Sequence, residues 1–275
     1  MITILVPTDF STTAKKAVEY AVFFAKKVNA HLVILHVYQI PVVSLKPLYV
    51  ANPEAVKEIN RLAEEQLNRL VQEVEGLKDI RFTTKALPMN LLIEFAEILN
   101  RQHADLIIMG TNGASGLKEL IMGSNTASVI ESANCPVLAI PANAPCTGIG
   151  TIGFAYDKEI INDFENLEFL KWFTRHFKAL IEVFHVNNAE PESSASRHDD
   201  TLNRLKKFLQ NLPFNYSEIF HSNVEEGINA CLEEKKVDVL ALMHRSRSLF
   251  DSLFRKSYSK KMAYQTTIPL LVIPE

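Results

Sequence analysis

Residues 104–128 read ADLIIMGTNGASGLKELIMGSNTAS, a short apolar run followed by a loop that is rich in glycine. Four of the chain's nine glycines lie in this stretch. The apolar run over 105–110 is typical of a β-strand that helices cover on both faces. A helical pattern opens at Gly123 and Ser124 and continues toward Ser132. The order of strand, glycine-rich loop and helix predicts an α/β fold.

A loop of this kind can bind an anion. Glycine permits positive φ angles and has no Cβ, so backbone N–H groups can converge on phosphate oxygens. The N-terminus of the following helix adds amide donors and a partial positive charge, and Ser124 and Thr111 offer hydroxyl groups. The spacing fits neither the Walker pattern nor GxGxxG, and a tight turn without a ligand is the alternative. We therefore expect a triphosphate cradle from Gly110 to Ser124.

The chain also repeats itself. ADLII at 104–108 corresponds to VDVLA at 237–241, and CPVLAIP at 135–141 corresponds to IPLLVIP at 268–274. Both pairs are 133 positions apart, so the stretch between them aligns without a gap. A repeat of this length is a domain and not a solenoid unit.

Two tandem domains follow from the repeat, over residues 1–141 and 149–275. The join, ANAPCTGIG at 142–150, is rich in small residues, Pro and Gly, as linkers often are. In each copy short β-branched runs alternate with helical patterns. This order predicts right-handed crossovers and a doubly wound, five-stranded parallel sheet in each domain, with ligands beyond the carboxyl ends of the strands.

The first copy shows both periodicities in turn. Strands are predicted near 2–7, 31–37, 80–86, 105–110 and 136–140. Helices are predicted over 11–28, 53–75 and 90–102, and Ser11, Thr12 and Asn90 offer oxygens for helix caps.

Bulk composition narrows the function classes. Hydrophobic residues make up 47% and charged residues 22%, which is typical of a globular protein with a core. A net charge of −3 gives no reason to expect nucleic acid or an anionic membrane as a partner, and no apolar run reaches the roughly 18 residues of a membrane span. Three cysteines without metal-ligand spacing predict a reduced, cytoplasmic setting.

These motifs make the chain similar to the universal stress protein family, in its tandem two-domain form. ATP-binding members carry G-x2-G-x9-G-[ST], which Gly110, Gly113, Gly123 and Ser124 match position for position. The family also opens with a strand that ends in Val-Pro-x-Asp, found here at 6–9. The resemblance covers nearly the whole chain.

The resemblance implies an adenine nucleotide α-hydrolase-like, Rossmann-like fold and a site for ATP, accompanied by Mg²⁺ or Mn²⁺. It implies that Asp9 and Val37 hold the adenine end, with Met109 and Gly110 beside the ribose. The implied cofactor-binding residues are Pro7, Thr8, Asp9, Val37, Met109, Gly110, Gly113, Gly123, Ser124 and Asn125. The sequence itself shows no Ser-His-Asp constellation and no Cys/His/Asp/Glu cluster with metal-ligand spacing, so we expect no catalytic residue and no protein-ligated metal.

The second copy departs from this pattern. The interval of 133 places Met243 opposite Gly110, and of the loop only Ser257 keeps its counterpart, Ser124. Ser246 and Lys256 stand where the second and the last matched glycine would be. We expect one nucleotide site in each chain, and a structural role for Asp157.

Single-domain relatives pair through their last strands. PVLAIP and PLLVIP can pair in the same way within this chain and form an intramolecular pseudo-dimer, and further homodimerisation is left open. The apolar segment 38–52 is expected to cover the crevice or pack against the other copy, whereas 187–198 is polar and expected to be flexible. His36 and His185 recur at matching strand ends, which favours packing over catalysis.

Three functions remain. The first is a cytoplasmic stress-response protein that binds ATP as a sensor or regulatory module, with at most slow hydrolysis. The second is a non-nucleotide interaction or scaffold protein whose glycine loop is a relic. The third, an adenylating enzyme, is the weakest, because TDFSTT stands where such enzymes place an SGGxDS-type loop.

Overall fold

The structure is a computed structural model. It describes residues 1–39, 42–45, 48–51, 53–89, 95–111, 123–155, 167–187, 198–243 and 267–274.

Strands and helices alternate along most of the described chain. The strands are β1 (Thr3–Pro7), β2 (His31–Gln39), β3 (Val42–Leu45), β4 (Leu48–Ala51), β5 (Arg81–Met89), β6 (Leu106–Gly110), β7 (Val137–Ile140), β8 (Thr151–Ala155), β9 (Leu180–Asn187), β10 (Phe214–Phe220), β11 (Val239–Met243) and β12 (Leu270–Ile273). The α-helices are α1 (Thr12–Val28), α2 (Pro53–Glu73), α3 (Phe95–Asn100), α4 (Ser124–Ser132), α5 (Glu168–Phe177), α6 (His198–Leu209) and α7 (Val224–Glu234).

Ten of the described strands form one sheet, in the order β10-β9-β8-β11-β12-β7-β6-β1-β2-β5. Each half contributes five parallel strands in the same doubly wound order. The halves join where β7 and β12 pair antiparallel, with Leu138 opposite Leu271. The predicted fold class and the predicted pairing of the two last strands are both confirmed.

The sheet separates two apolar cores. Successive side chains of a strand point to opposite faces, so Ile4 and Val6 enter one core while Leu5 enters the other. All three side chains are fully buried. Both cores continue from the first half into the second, through residues such as Phe154 and Leu240.

The repeat is visible in hydrogen bonds as well as in topology. Asp105 Oδ2 accepts a bond from the Thr3 amide (2.7 Å), which ties the start of β6 to the start of β1. Its counterpart at the interval of 133, Asp238, accepts bonds from the amides of Gly150 (2.7 Å) and Thr151 (2.9 Å). Equivalent carboxylates therefore fix equivalent strand pairs in the two halves.

The seam between the halves is aromatic. Phe24 of α1 is 1% exposed and lies with its ring 5.3 Å from Phe173 and 4.9 Å from Phe177, both on α5. The Trp172 ring stacks at 6.4 Å from Phe24 on the outer side of this cluster. The seam continues the apolar core, so the two halves pack as one body at this point.

The predicted helix caps are confirmed in part. Ser11 caps α1 as predicted, since its Oγ accepts a bond from the Ala14 amide (3.2 Å). Asn29 and Lys178 end α1 and α5 in the same left-handed conformation, with φ of 53° and 55°. The predicted cap at Asn90 lies outside the described residues.

The boundaries differ from the prediction at the carboxyl edge of the first sheet. β2 runs to Gln39 and β5 to Met89, two and three residues beyond the predicted ends of these strands. An antiparallel hairpin of β3 and β4 occupies part of segment 38–52, where no strands were predicted. The proposed covering role of that segment stays a prediction. Asn187 is the last residue of β9, and 188–197 lie outside the described residues.

Two features are absent from the described residues. No helix there is long and apolar enough to cross a membrane. No group of three or more His, Cys, Asp or Glu side chains there could hold a metal ion.

Candidate functional site

A cavity of about 450 Å³ opens at the carboxyl ends of the adjacent strands β1 and β6. The connections that leave these two strands run in opposite directions along the sheet, so the cavity lies at the topological switch point. Its lining residues are Pro7, Thr8, Asp9, Ala14, Val37, Gln39, Met89, Phe95, Met109, Gly110, Gly123, Ser124, Asn125 and Thr126. Nine of the ten predicted site residues are among them. The tenth, Gly113, lies outside the described residues. Their role toward a ligand stays a prediction.

The turn between β1 and α1 lines the cavity at the end of β1. Thr8 Oγ1 accepts a hydrogen bond from the Phe10 amide (3.0 Å), and Asp9 Oδ1 accepts one from the Ser11 amide (3.0 Å). Phe10 adopts a left-handed conformation with φ of 62°, which is uncommon for a residue with a side chain. The turn is therefore held by short local bonds that fix the backbone on both sides of Asp9.

Beside this turn, the main chain of β2 is exposed to the cavity. Leu35 O accepts a bond from the Thr8 amide (2.9 Å), the last contact between the two strands. In a parallel strand both peptide groups of a residue point to one side, and alternate residues point the same way. The N–H and C=O of Val37 therefore point toward the side where β1 has ended. They offer one donor and one acceptor at the wall of the cavity.

His36 joins β2 to the same turn. Its Nδ1 lies 2.8 Å from the carbonyl oxygen of Thr8, and its ring lies 4.4 Å from that of Phe10. These contacts agree with the predicted packing role. His185 is half-buried at the corresponding place on β9.

The N-terminus of α4 lines the cavity beyond the end of β6. Gly123 is the N-cap residue, and it has no side chain with which to bond the first-turn amides of the helix. Its amide donates to Thr111 O (2.7 Å), and Thr126 Oγ1 donates to Gly110 O (2.9 Å). These two bonds join the start of α4 to the end of β6. The exposed side chains of Ser124 and Asn125 stand at the mouth of the cavity.

The two described loop glycines have different reasons to be glycine. Gly123 has φ of −62° and ψ of 151°, which any residue adopts, so its conformation does not require glycine. A Cβ at Gly110 would lie 2.8 Å from Thr13 Cγ2 and 3.0 Å from the Thr13 carbonyl oxygen. Gly110 is therefore needed for close packing of β6 against α1, a reason that the loop pattern does not indicate.

Five lining residues were not predicted from sequence: Ala14, Gln39, Met89, Phe95 and Thr126. Gln39 and Met89 face each other across β2 and β5, beyond the predicted ends of those strands. Thr126 follows directly on the predicted residues, and its place one turn into the helix was the available signal.

The charge at the cavity is uneven. Asp9 is the one ionisable side chain among the described lining residues, and it lies in the turn that follows β1, whereas α4 begins beyond the end of β6. A helix N-terminus carries a partial positive charge of about half an elementary charge. An elongated ligand with one anionic end would therefore be favoured with that end at α4.

The second half differs at the corresponding edge. Met243, the counterpart of Gly110, has a buried side chain. Val186 of β9, which corresponds to Val37, packs under α7 so closely that a Cβ at Gly227 would lie 2.8 Å from Val186 Cγ1. Asp157, Ser246, Lys256 and Ser257 lie outside the described residues.

Comparisons with known proteins give one consistent result. The profile of the universal stress protein family matches residues 1–141. The chain is 34% identical over 146 residues to universal stress protein MJ0531 of Methanocaldococcus jannaschii, covering 50% of this chain and 80% of that protein. It is 33% identical over 145 residues to universal stress protein YxiE of Bacillus subtilis, covering 50% of this chain and 96% of that protein.

Solved structures match the chain over its full length. A universal stress protein from Archaeoglobus fulgidus superposes over 99% of this chain and 98% of its own, with a TM-score of 0.72 and 18% identity. A universal stress protein from Pseudomonas aeruginosa covers 100% of this chain and 93% of its own, with a TM-score of 0.61 and 16% identity. At these identities the likeness concerns the fold.

Proposed function

Since the chain belongs to the universal stress protein family, we propose that its N-terminal cavity binds ATP and that the protein acts as a nucleotide sensor or regulatory module. One observation carries the proposal. A cavity of about 450 Å³ has the N-terminus of α4 on the side of β6 and the open peptide groups of Val37 on the side of β2, with Asp9 in the turn that follows β1. A volume of this order is typical of small-molecule sites.

The phosphates belong at α4. The helix N-terminus supplies amide donors and positive potential, and Ser124 and Asn125 add side-chain donors at the mouth. Asp9 would repel phosphates at the other end, since carboxylate and phosphate are both anionic. The electrostatics thus favour one orientation of the nucleotide.

The base belongs beside Val37. The 6-amino group of adenine is a donor and the neighbouring ring nitrogen N1 is an acceptor. The peptide C=O and N–H of one residue complement that pair. The apolar side chains of Val37, Met89 and Phe95 suit the faces of the ring. Asp9 can accept a hydrogen bond from the amino group or from a ribose hydroxyl.

A divalent cation would accompany the phosphates. The described lining contains no Lys or Arg to balance a triphosphate. Mg²⁺ or Mn²⁺ held by phosphate oxygens and water could supply that charge, and the Ser124 hydroxyl could serve as a protein ligand.

Regulation fits the site better than catalysis. Among the described lining residues, the one candidate general base is Asp9, and it lies at the base end of the proposed nucleotide. We expect hydrolysis to be much slower than the roughly 10 turnovers per second of an ordinary enzyme. The three cysteines are free thiols, which agrees with action in the cytoplasm.

Calorimetric titration with MgATP tests the proposal, with Gly123→Val as the matched variant. Because Val adopts the φ and ψ of Gly123, the fold should persist while the side chain blocks the amides of α4. We expect micromolar binding by the wild type and none by the variant. If the wild type binds no adenine nucleotide, and none is released from the purified protein on denaturation, the proposal fails. An interaction protein would then be the better account.

A further inference from the structure

We infer that His36 is a positioning residue that holds the adenine end of the cavity in its binding geometry. The inference rests on the proposed ATP site. It goes beyond that site because His36 is not among the residues that line the cavity. His36 would act through Thr8 and Asp9 on one side and through Val37 on the other.

The hydrogen bond of His36 has a defined direction. Nδ1 lies 2.8 Å from the carbonyl oxygen of Thr8, and a carbonyl oxygen can only accept. Nδ1 must therefore carry the proton. The imidazole Nδ1–H of His36 therefore fixes the Thr8 peptide. Thr8 directly precedes Asp9, which carries the charged side chain of the cavity.

The turn that His36 contacts contains one residue in an unfavourable backbone conformation. Phe10 is held at φ of 62°, a left-handed conformation that is sterically unfavourable for a residue with a Cβ. The His36 ring lies 4.4 Å from the Phe10 ring and covers the residue that carries this strain. One side chain thus makes both a polar and an aromatic contact with a turn of four residues.

His36 also sets the spacing between the two walls of the base site. It precedes Val37 in β2, whose peptide groups face the cavity, and it bonds to the turn that carries Asp9. A donor–acceptor pair and a carboxylate must keep a fixed separation to bind one purine together. The imidazole bridges these two elements at the point where the pairing of β1 with β2 has ended.

Two substitutions separate the hydrogen bond from the packing. His36→Phe keeps an aromatic ring against Phe10 and has no N–H donor. His36→Asn keeps a donor near the position of Nδ1 and has no ring. If His36 positions the site, His36→Phe should lose about three- to tenfold in affinity for both MgATP and adenosine, the range expected for one hydrogen bond. His36→Asn should recover most of that affinity although its fold is less stable.

His185 provides the control, because it occupies the matching place in the half without the glycine loop. His185→Phe and His185→Asn should leave MgATP affinity unchanged. Calorimetry gives the affinities, and urea unfolding gives the stability of each variant. Adenosine isolates the base end, since it has no phosphates to reach α4.

The outcomes are distinct. If the wild type binds neither MgATP nor adenosine, the proposed function and this inference both fail. If the wild type binds and His36→Phe binds equally well, the ATP site stands and His36 is only a packing residue. Affinity that follows unfolding stability across both His36 variants, with His36→Asn the weaker binder, also overturns the positioning role.

Discussion

Gly110 and Thr13 are in direct contact across the end of β6 and the start of α1. A Cβ at position 110 would lie 2.8 Å from Thr13 Cγ2, 3.0 Å from the Thr13 carbonyl oxygen and 3.1 Å from its carbon. Two of these three atoms are backbone, so a rotamer change of Thr13 cannot relieve the clash. The first glycine of the loop motif thus determines how closely the helix approaches the sheet.

Gly110→Ala should destabilise the fold. Overpacking of this kind costs about 1 to 3 kcal/mol because backbone must shift to admit the methyl group. Gly150→Ala is the matched control, since its Cβ would meet only Asp238 Oδ2 at 3.5 Å, an ordinary contact. We expect urea unfolding to show a loss for Gly110→Ala and a change within about 0.5 kcal/mol for the control. Equal values for the two variants would refute the packing role.

Much of the fold could be predicted because its signals are local or repeated. β-Branched and apolar residues marked most strands. The interval of 133 makes Asp105 and Asp238 counterparts, and the structure gives both carboxylates equivalent hydrogen bonds. The pairing of β7 with β12 was implied by the family resemblance, since single-domain relatives pair through their last strands. The other two features depend on periodicity and on the tendency of apolar strands to be covered.

The remainder depends on tertiary contacts that no local pattern encodes. Gln39 and Met89 line the cavity because β2 and β5 pair beyond their predicted ends. Backbone hydrogen bonds extend the two strands there. Such bonds do not depend on the type of side chain, so no sequence pattern indicates them. The need for glycine at 110 depends on Thr13, a residue nearly a hundred positions away.

Phe24→Ala should weaken the whole protein and change the signal of its single tryptophan. Phe24 is 1% exposed among α5 aromatics, and Phe-to-Ala truncation in a core costs about 3 to 5 kcal/mol. Trp172 stacks on the same ring, so water admitted to the cavity should shift its fluorescence to longer wavelength. Leu62→Ala, at a residue 46% exposed, serves as the control. Similar small losses for both variants would show that the seam contributes little.

Stability should fall as the pH rises above about 9. Burial raises the pKa of Cys135 to about 12 and that of Cys231 to about 11, because a thiolate is poorly solvated inside the protein. The unfolded chain, with thiol pKa near 8.5, then binds fewer protons than the folded chain between about pH 9 and pH 11. The free energy of unfolding therefore decreases with pH in this window and not below it.

Replacing both thiols tests the assignment. The double variant Cys135→Ala, Cys231→Ala should lose stability less steeply than the wild type as the pH rises from about 9 to 11, whereas the two slopes should agree near pH 7. Urea unfolding at a series of pH values measures both slopes. Parallel curves across the whole range would show that these thiols are not responsible.

Ser124→Glu should change stability and nucleotide binding in opposite directions. Ser124 is the first residue of α4, where a carboxylate interacts favourably with the helix dipole by about 0.3 to 1 kcal/mol. The same carboxylate would repel the phosphates proposed to bind there, and we expect MgATP affinity to fall at least about tenfold. The apo protein should therefore melt at a slightly higher temperature while binding less ATP. Ser257→Glu, at the counterpart position in the second copy, should leave MgATP affinity unchanged. Because general damage to the fold lowers stability and affinity together, a Ser124→Glu protein that melts higher and still binds MgATP like the wild type would exclude α4 as the phosphate site.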